Sequence, residues 1–183
     1  MVKMLKDINF DQGFKLESPD RFNLHVTDIL GFGKSNVDPV WTLGQLWSKY
    51  GLGGTKPEEL MPGVIAYENK AKRVIIGEPG TKYERLDLRV NGGVEFGFEP
   101  PVRDKEFTWP HFGISQRFKF NSEMNLANML NVNFSLDARL LDTKFHEDIR
   151  KGHTTHFNAF FTIQNLNCDS SGYNDFYNFG ISI

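Results

Sequence analysis

The stretch His156-Phe-Asn-Ala-Phe-Phe-Thr-Ile-Gln-Asn165 decides the fold class. Phe157, Ala159, Phe161 and Ile163 occupy every second position, with His156, Asn158, Phe160, Thr162 and Gln164 between them. A period of two belongs to a half-buried β-strand, because successive side chains leave a pleated backbone on opposite faces. Residues 131–141 alternate in the same way, with Val132, Phe134, Leu136, Ala138 and Leu140 set against Asn131, Asn133, Ser135, Asp137 and Arg139. Residues 110–120 place Phe112, Ile114, Phe118 and Phe120, with Gln116 among them, on one face and His111, Ser115, Arg117 and Lys119 on the other. The chain ends on Tyr177, Phe179, Ile181 and Ile183 at alternate positions.

Working outward, residues 72–77, 83–91 and 94–99 read as strands, the last two forming a hairpin through Gly92-Gly93, a pair that accepts the positive φ of a tight turn. Leu86, Leu88 and Val90 would face the core and Arg85, Asp87 and Arg89 the opposite side. The N-terminal third is richer in turns, as at 10–14 and 18–21, with Phe22–Val26 alternating as a short strand. One helix is expected near residues 39–50: Asp38 can cap it, Pro39 suits its first position, and Val40, Leu43, Leu46 and Trp47 fall at helical spacing. Trp41 and Trp47 would anchor that helix on a sheet, or else form a sugar-stacking platform.

The 17 Phe and 17 Gly among 183 residues favour aromatic-packed sheets over a helical bundle. Neither internal repeats nor low-complexity tracts interrupt the chain, so the expectation is all-β: an antiparallel β-sandwich of the jelly-roll, concanavalin-A-like kind, with residues 1–183 as a single domain. An alternating strand at the extreme C-terminus leaves an unpaired edge, from which truncation of a longer domain, or self-association through the C-terminal edge, is expected. The formal net charge of −2 includes no basic run, which argues against nucleic acid as a partner. No apolar stretch is long enough to span a membrane, and the first residues lack the apolar centre of a signal peptide. The chain as written reads as cytoplasmic, or as secreted if a leader has been lost. Cys168 stands alone, which excludes an internal disulfide.

The polar strand positions suit the recognition of hydroxyl-rich ligands. Asn and Gln present planar donor–acceptor pairs, Arg binds bidentately, and aromatic rings stack on sugar faces. The expected ligand-binding residues are Trp109, Arg117, Arg139, His156, Asn158, Gln164 and Tyr173, with an oligo- or polysaccharide as partner. A solvated sheet face with no ligand, in a structural or partner-binding sandwich, is the competing reading. Glycoside hydrolysis by paired carboxylates is disfavoured, because Asp137 has no acidic neighbour two residues away. A polysaccharide lyase needs a His or Tyr base and an Arg, Asn or Gln to neutralise a uronate, for which His111, His156 and Tyr173 are the catalytic candidates. His153-x-x-His156 lacks the converging ligands of a zinc site. The oxygen-rich Asn165–Gly172 is a candidate structural calcium loop or a polar turn, and no other cofactor is implied.

Four blocks, Trp41–Trp47, Trp109–Phe112, Phe134–Leu140 and Phe160–Phe176, resemble a group of uncharacterised bacterial proteins that are similar to concanavalin-A-like lectin and glucanase sandwiches. The resemblance spans about residues 38–183 and implies a lectin-like jelly roll associated with polysaccharide use. It also implies that the last strand continues into a Tyr-Asp segment and further strands.

Overall fold

The computed structural model describes residues 3–20, 22–32, 37–96, 111–118, 131–144 and 156–182. The protein is all-β with one short helix, and the chain divides into two compact units, residues 1–100 with 104–132, and residues 101–103 with 133–183.

Among the described residues the first unit holds eight strands: β1 (Phe14–Glu17), β2 (Val26–Leu30), β3 (Trp41–Gly44), β4 (Glu58–Met61), β5 (Val64–Glu68), β6 (Lys72–Gly77), β7 (Leu86–Val90) and β8 (Gly113–Ser115). They form two four-stranded sheets, ordered β2-β1-β3-β8 and β4-β5-β6-β7. All pairs are antiparallel except β1 with β3. One core cluster draws Phe14, Leu16, Leu30, Trp41 and Leu43 from the first sheet and Tyr67, Val74 and Ile76 from the second, which makes this unit a β-sandwich. Tyr67 ties the layers together: its hydroxyl donates to the Gly31 carbonyl at 2.8 Å and accepts from the Gly31 N–H at 3.1 Å. Burial raises its pKa. On the other side of the second sheet Val64, Ala66 and Ile75 pack with Leu60 and Tyr83. Gly77 is required there, because a Cβ would stand 1.6 Å from the Tyr83 carbonyl oxygen.

The helix expected over residues 39–50 is replaced by strand β3. The run satisfies both periods, and the strand period prevails: Trp41, Leu43 and Gln45 are all buried. Strand β1 offers a parallel ladder, Phe14 to Trp41 and Leu16 to Leu43. The buried Gln45 amide donates to the Glu17 carbonyl at 2.8 Å and accepts from the Leu52 N–H at 3.0 Å. At Trp47, φ is +57°, which a continuing α-helix excludes.

The helix found among the described residues is instead α1, Gly92–Phe96, where a hairpin and a following strand were expected. Asn91 decides this, because its side-chain oxygen accepts the Val94 N–H at 3.2 Å and its carbonyl accepts the Glu95 N–H at 3.1 Å, as a helix cap does. The cap carries Glu95 inward onto Lys72, and the two side chains are 1% and 0% exposed. Lys72 lies on the core-facing side of β6 with Val74 and Ile76, so its ammonium needs buried partners. It finds the Glu95 carboxylate and the Tyr50 carbonyl, the latter at 2.6 Å, while the second Glu95 oxygen accepts the Lys49 N–H at 2.6 Å.

The second unit contains β9 (Asn158–Gln164) and β10 (Phe176–Ser182), an antiparallel pair in full register. Its alternation is as the sequence predicts, with Phe157, Ala159, Phe161 and Ile163 half-buried and the even-numbered positions exposed. Residues 131–144 are a correction, since no strand is assigned to them and Phe134 is 42% exposed. Alternation belongs to the side chains, whereas a strand needs a backbone ladder, and this segment pairs with no strand among the described residues. Phe134 still meets Phe161 edge to face, ring centroids 4.5 Å apart. Phe22 is a further correction: it is exposed, and the strand begins at Val26.

Candidate functional site

The register of β9 on β10 builds the most chemically loaded surface. Directly opposed residues share a face, so Asn158 stands beside Ser182, Phe160 beside Gly180, Thr162 beside Asn178 and Gln164 beside Phe176. This face therefore mixes amides and hydroxyls with two rings, Phe160 and Phe176, which are 57% and 59% exposed. Thr162 donates to the Asn178 side-chain oxygen at 2.6 Å, which fixes the amide's orientation. Gly180 lets its strand lie close against β9, since a Cβ there would stand 2.3 Å from the Ala159 carbonyl oxygen and 2.4 Å from the Phe160 Cβ.

The β9–β10 connection supports this face from one end. Asn165 donates its N–H to the Asp175 carbonyl and accepts the Asn174 N–H, both at 2.9 Å, with Asn174 at φ +68°. Two residues thus oppose one, a bulge that re-aims the turn. Ile163, Gln164, Asn165, Gly172, Asp175 and Tyr177 line an open hollow of about 320 Å³ beside it. In the candidate calcium loop, the side-chain oxygens of Asn165 and Asn167 accept the N–H groups of Asn167 and Asp169 at 3.0 and 3.1 Å, and the Asn165 amide donates to Ser170 at 3.0 Å. These contacts are those of a self-bonded turn. Among the described residues no group of three or more His, Cys, Asp or Glu side chains gathers as a metal site would.

The expected site residues divide between the units. Asn158 and Gln164 lie on the β9–β10 face, His156 lies exposed two residues before β9, and Tyr173 lies exposed in the turn. Arg139 is exposed in the irregular segment of the same unit. His111 and Arg117 belong to the first unit, flanking β8 on its exposed side with Ser115. Trp109 and His153 lie outside the described residues. The His111 ring tilts against Trp47 at 4.9 Å, the backbone N–H of His111 donates to the Leu46 carbonyl at 2.9 Å, and desolvation holds the imidazole below its usual pKa. Sequence reasoning placed Phe160 outward but missed its company, since the pairing of Thr162 with Asn178 and of Gln164 with Phe176 is a matter of register between strands. No helix among the described residues is long and apolar enough to cross a membrane. No protein family, curated protein or solved structure matches this chain.

Proposed function

We propose that the exposed face of β9 and β10 binds an oligo- or polysaccharide, as a lectin-like module of concanavalin-A-like, jelly-roll type would. The observation that carries the reading is the register, which sets Asn158, Thr162, Gln164, Asn178 and Ser182 around Phe160 and Phe176 on one face. Flat rings bind the C–H side of a pyranose, and neighbouring amides and hydroxyls satisfy its hydroxyl groups in pairs. Phe160 and the residue opposite Phe176 are four positions apart on β9, about 13 Å along the strand, so an oligosaccharide engages both rings where a single sugar reaches one. His156 and Tyr173 extend the same reading as polar contacts at its two ends.

A glycan array followed by calorimetry on the hits tests the proposal. Phe160→Ala is expected to weaken binding about tenfold, the upper end of what one stacked ring contributes. Asn178→Ala, which also releases Thr162, is expected to weaken it by a similar factor. An array without hits, or affinities unchanged by both substitutions, refutes the reading. Turnover of a hit, seen as a new ultraviolet-absorbing double bond or as new reducing ends, would replace binding with lyase or hydrolase chemistry.

A further inference from the structure

We infer that β10 pairs with β10 of a second copy of this chain, antiparallel and centred on Phe179, joining two β9–β10 hairpins into one four-stranded sheet. This inference does not rest on the glycan reading.

Among the described residues, only β9 pairs with β10, which leaves the far edge of β10 without a strand. The phase of the ladder fixes which groups that edge presents. At the turn, Asn165 exchanges hydrogen bonds with Asn174 and Asp175, so position 165 is a bonded one. Bonded and non-bonded pairs then alternate along an antiparallel ladder, making 163 with 177, 161 with 179 and 159 with 181 the bonded pairs. The backbone groups of Phe176, Asn178, Gly180 and Ser182 consequently aim at the open edge. A two-fold axis through Phe179 sets 178 opposite the partner's 180 and 176 opposite its 182. Every outward donor then meets an acceptor across all seven residues of the strand.

The side chains agree with the same axis. Tyr177, Phe179 and Ile181 share a face and are 68%, 56% and 66% exposed. In the dimer Tyr177 lies beside the partner's Ile181, and the two Phe179 rings meet at the axis. Residues 176–182 contain no charge and no proline, the usual means of blunting an exposed edge, so no like charges oppose each other across the two-fold. The outer edge of β9 is the poorer candidate, because Ala159, Phe161 and Ile163 are already half-buried and Phe161 is covered by Phe134.

Sedimentation equilibrium of the full chain, with site-directed cross-linking in a Cys168→Ser background, tests this. The unsubstituted chain is expected to sediment as a concentration-dependent dimer. Phe179→Cys is expected to form an intermolecular disulfide on mild oxidation, whereas Ile181→Cys alone is not. In the proposed register two copies of position 181 stand about 13 Å apart, beyond the reach of a disulfide. Should loss of the Phe179 ring unfold the unit, mixing Tyr177→Cys with Ile181→Cys gives the same information, since these positions face each other across the axis and are expected to cross-link in the mixture only. A monomer at every concentration, open-ended oligomers, or Ile181→Cys cross-linking to itself as readily as Phe179→Cys would overturn the inference.

Discussion

Removing one member of the Lys72–Glu95 pair is expected to be among the most damaging single changes in the first unit. Both side chains are removed from water, and each has a second partner that is a backbone group of residues 49–50. Glu95→Gln leaves the ammonium held by the Tyr50 carbonyl and the edge of its reach to the Phe112 ring, 6.0 Å from the centroid. Lys72→Met leaves the carboxylate with the Lys49 N–H. An uncompensated buried charge costs about 3–5 kcal/mol, and each substitution is expected to fall in that range. The double variant removes both charges, so its loss is expected to be smaller than the sum of the singles by about 2 kcal/mol or more. Urea unfolding followed by fluorescence, with Trp41 and Trp47 in this unit as reporters, measures all four corners of the cycle. Single losses under about 1 kcal/mol, or strict additivity, would refute the reasoning by placing both groups in contact with water.

Three further outcomes follow from the same structure. Tyr67→Phe removes both bonds to Gly31 and is expected to cost about 1–3 kcal/mol with the fold retained, measured by the same titration. Leu43→Ala, at a position with no exposure, is expected to cost about 2–5 kcal/mol, while Phe134→Ala, 42% exposed, is expected to cost well below the roughly 3–5 kcal/mol of a buried ring; a reversed order would place the core elsewhere. The depressed pKa of His111 means that the unfolded chain binds the proton more readily, so this residue contributes stability that is complete above about pH 6.5 and is lost as pH falls through the folded value. Thermal unfolding of the wild type and of His111→Gln between pH 8 and pH 5 is expected to show their difference shrinking on the acid side, and a constant difference would contradict the assignment.

What the sequence determined by itself was the period. The alternation of Phe157, Ala159, Phe161 and Ile163, and of Phe112, Ile114 and Gln116, predicts strands whose inward faces the structure finds half-buried and whose outward faces it finds exposed. Side-chain periodicity is written in the chain and survives without knowledge of any neighbour. What only the tertiary structure decided was pairing. Residues 39–47 fit a helix and a strand alike until β1 supplies a parallel ladder to β3, and residues 131–141 alternate faultlessly yet have no described strand to pair with. The capping of α1 by Asn91 and the burial of Lys72 on Glu95 depend on each other across 23 residues of sequence, which no local pattern records. The candidate site divides along the same line: that Phe160, Thr162 and Gln164 face outward was legible, but that Gly180, Asn178 and Phe176 stand beside them was not, because register is set by the turn and the bulge at Asn174 rather than by either strand alone.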